Sequence, residues 1–165
     1  PPAALGLIPG AEGERVAQFI VETLKPYVDT HYRTLPDRAH AAVAGASAGA
    51  QAAFFIGTEY PQVFSRVGAL GFAMGRGARE AIARWRGTHA YHAGMRIYLH
   101  VGSEENLGAP SHNPMFVDHL KEQQAALQAL GYGPGEVQLD VEAGANHSER
   151  FWSRRFPLML AWLFD

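Results

Sequence analysis

The sequence contains no cysteine, which excludes disulfide bonds and metal sites built from thiolates. It also lacks a long apolar run, since even residues 156–164 are too few to cross a bilayer as a helix. The 14 basic and 16 acidic residues leave a net charge of −2. That balance does not favour nucleic acid or an anionic membrane as a partner.

The sequence also has no recognisable signal peptide, and it begins with Pro1-Pro2 rather than methionine. We therefore expect an excised or processed piece of a soluble protein. A cytoplasmic location is slightly favoured, while a secreted or periplasmic one stays open.

What is present is an ordinary globular composition, with 165 residues of which 47% are hydrophobic. That length suits one domain with a substantial core and is short for two. We find no internal repeat, low-complexity tract or linker. The sequence therefore predicts a single domain over residues 1–165.

Apolar periodicity alternates between strand and helix along the chain. It predicts helices at about 14–32, 48–60, 78–86, 113–130 and 149–164, and strands at 39–44, 67–70, 95–101 and 136–142. Strands separated by helices indicate a parallel sheet of about four strands with helices on both faces. Ligands of such sheets gather at the carboxyl ends of the strands.

The sequence Gly45-Ala46-Ser47-Ala48-Gly49 follows the first predicted strand and opens a helix. This Gly-x-Ser-x-Gly pattern in a strand-to-helix turn is typical of a nucleophile elbow, which exposes a strained serine above the sheet. Both glycines are expected because larger side chains would collide there. Ser47 is the predicted nucleophile, and Ala48 is predicted to donate its N–H to an oxyanion. The alternative is a plain turn rich in small residues.

A serine nucleophile needs a base and an acid that orients that base. Among eight histidines, only His147 lies just past the last predicted strand, in a loop with Gly144 and Asn146. Glu104 and Glu105 follow the third predicted strand, and both stay open as the acid. The order serine, acid, histidine is that of α/β-hydrolases. A surface or helix-capping histidine is the alternative for His147.

Two other patterns are weaker evidence of a functional site. The glycine-rich residues 71–77 suggest a phosphate loop, but Glu80 stands where a dinucleotide fingerprint needs its third glycine. His89 and His92 have the spacing of a helical metal pair, yet they lie in a connector without a third ligand. Neither a metal nor an organic cofactor is expected.

The chain resembles the putative-esterase branch of the α/β-hydrolases, which includes feruloyl esterases, S-formylglutathione hydrolases, enterochelin esterases and mycolyltransferases. The resemblance rests on residues 24–34 before the elbow, on the elbow itself, and on Gly144-Ala145-Asn146-His147-Ser148 with Trp152. In that branch the acid commonly lies three residues after a loop glycine. Carried onto Gly102, this implies Glu105 rather than Glu104, with glutamate in place of the usual aspartate.

The resemblance covers only the later part of the family's domain, so it implies a three-layer α/β-hydrolase-like fold that lacks its early strands. It also implies the loss of the loop that supplies a second oxyanion donor, and an elbow strand left as an exposed sheet edge. We therefore expect the missing N-terminal portion as a separate chain, or a homo-oligomer, to cover that edge.

These observations predict a serine hydrolase of small-molecule carboxylic esters that acts through an acyl-enzyme. Phe72, Met74 and Trp152 are candidates for an apolar substrate wall. Two alternatives stay open: an acyltransferase of the same fold, and a noncatalytic binding domain that has lost hydrolase competence. Neither nucleic acid nor a membrane is expected as a partner.

Overall fold

The computed structural model describes residues 11–72, 83, 86–105 and 113–165. Within them, four strands form one parallel sheet whose spatial order follows the chain, β1-β2-β3-β4. The strands are β1 Ala42–Ala46, β2 Arg66–Leu70, β3 Arg96–Glu104 and β4 Val137–Asn146. The helices are α1 Ala11–Gln18, α2 Lys25–His31, α3 Ala48–Glu59, α4 Asn113–Ala129 and α5 Glu149–Phe164. The predicted α/β class and parallel sheet are confirmed.

The first predicted helix is divided by a π-helical turn, Phe19–Leu24, which joins α1 to α2. Proline cannot donate the hydrogen bond to the carbonyl four residues back, so Pro26 favours a local change in helix geometry. The structure places the irregular, wider turn directly before that proline.

Helices cover both faces of the sheet. On one face, α3 and α4 pack on alternate residues of the central strands, among them Ile97, Leu99 and Val101. On the other face, α5 places Met159 and Leu163 against residues that include Tyr98. Because side chains alternate along a strand, His100 lies on the same face as Tyr98, towards α5.

Two strands extend further than the sequence predicted. β3 continues to Glu104 and β4 to Asn146, and these two residues pair after an irregularity at Gly102. A Cβ on Gly102 would lie 2.1 Å from the carbonyl oxygen of Ala145. Glycine therefore lets the chains approach closely there, and part of the predicted histidine loop becomes strand.

The remaining boundaries differ for local reasons. Residues 38–40 form a 3₁₀ turn rather than strand, because the Asp37 side chain accepts a hydrogen bond from Ala39 N at 3.0 Å and caps the turn. The predicted helix at 78–86 falls largely outside the described residues, as does Met74.

β1 is the end strand of the sheet, as predicted, and in the described part of the chain it pairs with β2 alone. Beside it, an apolar groove of about 450 Å³ runs between β1 and α5, lined by residues that include Ala44, Leu70, Trp152 and Phe156. The expectation that another strand or a second copy covers this edge stays a prediction. Among the described residues, no helix is long and apolar enough to span a bilayer.

Candidate active site

Ser47 occupies the turn between β1 and α3 with a strained backbone. Its φ of 55° and ψ of −122° lie where side-chain-bearing residues rarely occur, and it is the only non-glycine residue of the described chain with positive φ. Such strain costs about 1–3 kcal/mol and persists only where the surroundings impose it. Here Ser47 N donates to Leu70 O at 3.0 Å, which carries the β1–β2 pairing onto the serine.

The two glycines of the elbow play different parts. A Cβ on Gly45 would lie 2.2 Å from the carbonyl oxygen of Gly49, so only glycine fits where the strand turns into the helix. A Cβ on Gly49 would meet nothing within 4 Å. The expectation of a collision is therefore met at Gly45 and is wrong at Gly49.

The structure brings three predicted site residues into one hydrogen-bonded row. Ser47 Oγ lies 2.7 Å from His147 Nε2, and His147 Nδ1 contacts Glu105 Oε1. The other carboxylate oxygen of Glu105 accepts a hydrogen bond from Gly102 N at 3.0 Å. Glu105 is fully buried, whereas Glu104 ends β3 with an exposed side chain. Of the two glutamates, Glu105 is thus the one whose carboxylate contacts His147.

The row defines where the protons lie. A carboxylate can only accept, so His147 Nδ1 carries a proton and donates it to Glu105. The other ring nitrogen, Nε2, lies at hydrogen-bond distance from the Ser47 hydroxyl. His147 keeps 20% of its side chain exposed while Glu105 has none. His147 therefore faces the solvent side of the row, and the Glu105 carboxylate lies behind it.

Ala48 is the first residue of α3, directly after Ser47. Its N–H belongs to the first turn, whose donors a helix leaves without an intrahelical acceptor. The partial positive charge of a helix N-terminus adds to this position. The arrangement can stabilise negative charge that develops on an oxygen beside Ser47.

The three predicted wall residues are in different situations. Trp152 packs edge-on against His147, with ring centroids 4.8 Å apart and planes at 85°, and it lines the groove beside β1. Phe72 is fully buried in the core against Phe54, with ring centroids 5.3 Å apart. Met74 lies outside the described residues.

A second histidine–glutamate pair beneath the site was missed by the sequence analysis. His100 is fully buried, and its Nδ1 accepts from Gly71 N at 3.2 Å, so Nε2 carries the proton and donates to Glu142 Oε2 at 3.2 Å. Glu142, only 4% exposed, also accepts from Arg154 Nε at 2.9 Å and Arg155 Nε at 2.8 Å. The available signal was a histidine that interrupts an apolar alternation on β3, with carboxylates at alternate positions of β4.

Charge states in this second pair follow from burial and contacts. Burial lowers the pKa of His100 against the attraction of Asp140 and Glu142, which keeps the ring neutral. Burial alone would raise the pKa of Glu142, but hydrogen bonds from Arg155, Arg154 and His100 lower it, so the carboxylate is ionised.

No group of three or more histidine or acidic side chains suited to a metal ion occurs among the residues the structure describes. Of the histidines considered as a metal pair, His89 instead has Nε2 within 2.8 Å of a Glu59 carboxylate oxygen.

Known proteins resemble this chain over nearly all of its length. The family model described as "Putative esterase" matches residues 10–163. The uncharacterised protein YbbA of Bacillus subtilis (strain 168) is 23% identical over 159 residues, which cover 94% of this chain and 61% of that protein.

Solved structures give the same picture of the fold. An enterochelin esterase from Shigella flexneri superposes with a TM-score of 0.72 at 17% identity, over 96% of this chain and 41% of that one. A ferulic acid esterase from the anaerobic fungus Anaeromyces mucronatus gives a TM-score of 0.69 at 17% identity, over 99% of this chain and 61% of that one. The chain thus spans less than two thirds of the length of each of these relatives.

Proposed function

This chain belongs to the putative esterase family of α/β-hydrolases, and from that premise we propose that it is a serine hydrolase of carboxylic esters. The observation that carries the proposal is the row Ser47–His147–Glu105, built on a strained elbow at the carboxyl edge of the sheet. The family match and the esterases among the structural neighbours support ester cleavage as the reaction class.

In the first half of the proposed reaction, His147 Nε2 takes the proton of Ser47 as Oγ attacks the ester carbonyl carbon. Glu105 holds the Nδ1 proton and stabilises the imidazolium that forms. The tetrahedral intermediate collapses when His147 returns the proton to the leaving alcohol, which departs and leaves an acyl group on Ser47. In the second half, His147 takes a proton from water as that water attacks the acyl carbon, and it returns this proton to Ser47 Oγ as the acid is released.

Negative charge on the carbonyl oxygen is proposed to be met by Ala48 N at the start of α3. Removing one such donor typically costs about 10²–10³ in kcat. A hydrolase with Ala48 as its sole donor would therefore be slow but measurable. We propose Trp152 as a wall for the acyl or alcohol group, since it lines the groove beside β1 and also packs on the base.

The proposal is tested by labelling the purified protein with a fluorophosphonate and by assaying hydrolysis of p-nitrophenyl acetate. We expect labelling of Ser47 and measurable hydrolysis, both lost in Ser47→Ala. Ser65→Ala is the matched control, because this serine precedes β2 at the opposite end of the sheet and bonds the carbonyl of Arg38 at 2.5 Å. Absence of Ser47-dependent labelling in protein that circular dichroism shows to be folded would contradict the proposal and favour a binding domain.

A further inference from the structure

Glu142 ties together three parts of the molecule that surround the site. It lies on β4, and its side chain accepts hydrogen bonds from His100 on β3 and from two adjacent arginines of α5, Arg154 and Arg155. The carboxylate is 4% exposed, so water can replace little of what these donors provide. If the carboxylate lost its charge, its buried oxygen atoms would be weaker acceptors for these three donors.

Two sets of contacts connect Glu142 to the site, one through the arginines of α5 and one through His100. Arg154 and Arg155 follow Trp152 within the next turn of α5, so the ionic contacts hold the segment of helix that carries the indole. In the second set of contacts, the His100 ring accepts a hydrogen bond from Gly71 N, and the backbone carbonyl of His100 accepts one from Phe72 N at 3.0 Å. The turn after β2 therefore donates hydrogen bonds to both the ring and the backbone carbonyl of His100.

Both sets of contacts reach Trp152. Gly71 has a φ of +56°, and a Cβ there would lie 2.3 Å from Trp152 Nε1, so this turn forms a tight floor under the indole. The indole in turn packs edge-on against the His147 ring. His147 is thus held by Glu105 through a hydrogen bond and by Trp152 through packing.

We propose that Glu142 is a positioning residue for His147, which acts by fixing α5 and the turn at Gly71 and hence the indole of Trp152. This inference rests on the proposed hydrolase function for its kinetic consequence. Proton transfer depends on the orientation of the imidazole, and a displacement of the ring by about 1 Å can lower the rate about 10²-fold. Glu142 does not line the groove beside β1, so it can affect a substrate only through the indole of Trp152.

The first test is Glu142→Gln, which keeps the size of the side chain and removes its charge. With p-nitrophenyl acetate we expect kcat to fall about 10- to 100-fold and KM to change less, since the indole also lines the groove beside β1. Glu136→Gln is the matched control, because this carboxylate also accepts two hydrogen bonds, from Tyr91 Oη at 2.8 Å and Gly133 N at 2.9 Å, at the other end of β4. We expect it to leave kcat unchanged.

A double-mutant cycle with Trp152→Phe separates positioning from general loss of structure. If Glu142 acts through the indole, adding Glu142→Gln to Trp152→Phe lowers kcat by much less than it does in the parent protein. Glu136→Gln should show no such coupling. Additive losses from Glu142→Gln and Trp152→Phe would overturn the proposal.

A third readout does not depend on turnover. The Cε1 proton of His147 lies in the ring current of Trp152, and its NMR resonance is assigned by its loss in His147→Gln. We expect Glu142→Gln to move this resonance and Glu136→Gln to leave it in place. A resonance that moves in a protein without esterase activity would retain the positioning role and reject the proposed function, whereas an unmoved resonance would reject the positioning role.

Discussion

Two histidine–glutamate pairs lie on the same sheet, and they use the imidazole in opposite ways. His147 donates from Nδ1 to Glu105 and presents Nε2 to a serine hydroxyl. His100 accepts at Nδ1 from the Gly71 amide and donates from Nε2 to Glu142. The two rings therefore donate to their glutamates from opposite nitrogens, and the group at the other nitrogen differs as well.

The surroundings of the two glutamates decide what each pair can do. Besides its histidine, Glu105 accepts from a backbone amide, so the charge that His147 gains in a reaction has one main carboxylate partner. Glu142 is already neutralised by Arg154 and Arg155. A buried histidine beside such a carboxylate gains little from protonation, and its pKa is lowered by burial. The first pair is suited to moving a proton and the second to holding structure.

The largest expected difference between the pairs is in activity. In His147→Gln we expect kcat for p-nitrophenyl acetate to fall about 10⁴-fold or more, because the serine loses its base. The melting temperature should change little, since the His147 ring is partly exposed. Steady-state kinetics measure the change in kcat, and calorimetry measures the change in melting temperature.

His100→Gln supplies the matched comparison. Because His100 is fully buried and bonded at both nitrogens, this variant should lose stability by about 1–3 kcal/mol and lose far less activity than His147→Gln. Equal losses of kcat in the two variants would remove the distinction between a proton-transferring and a structural pair.

The acids provide a smaller contrast. Glu105→Gln keeps the shape of the side chain but favours the wrong tautomer of His147, and we expect kcat to fall about 10²–10⁴-fold. Glu104→Gln, one residue earlier with an exposed side chain, is the control and should retain full activity. If Glu104→Gln were the damaging change, the assignment of the acid would be reversed.

The contrast between the pairs also explains what the sequence could predict. The fold class followed from apolar periodicity, because each strand is short and separated from the next by a helix. Ser47 and His147 were predicted as site residues because they follow strands, in turns that carry glycine. Glu105 was preferred to Glu104 only through the family resemblance, and in the structure the two glutamates differ in burial.

The second pair could not be predicted in this way. The pair lies inside β3 and β4, where a histidine or a glutamate is usually expected to be partly exposed, and its arginine partners lie on α5. The contact between His100 and Glu142 depends on the register of β3 against β4, which pairs His100 with Asp140 and Gly102 with Glu142. Register is a long-range property, and local pattern does not specify it.

The smallest expected effect is in the pH dependence of stability. Burial lowers the pKa of His100 below 6.5, although Asp140, Glu142 and Glu105 oppose the shift. Below about pH 6.5 the unfolded chain therefore binds a proton that the native state does not, so the contribution of His100 to stability falls as the pH falls. One such group changes stability by at most about 1.4 kcal/mol per pH unit, or about 3–6 °C in Tm for a domain of this size. We expect the Tm advantage of the parent protein over His100→Gln to shrink between pH 7.5 and pH 5, and an advantage that grew instead would mean that the buried ring is charged in the native state.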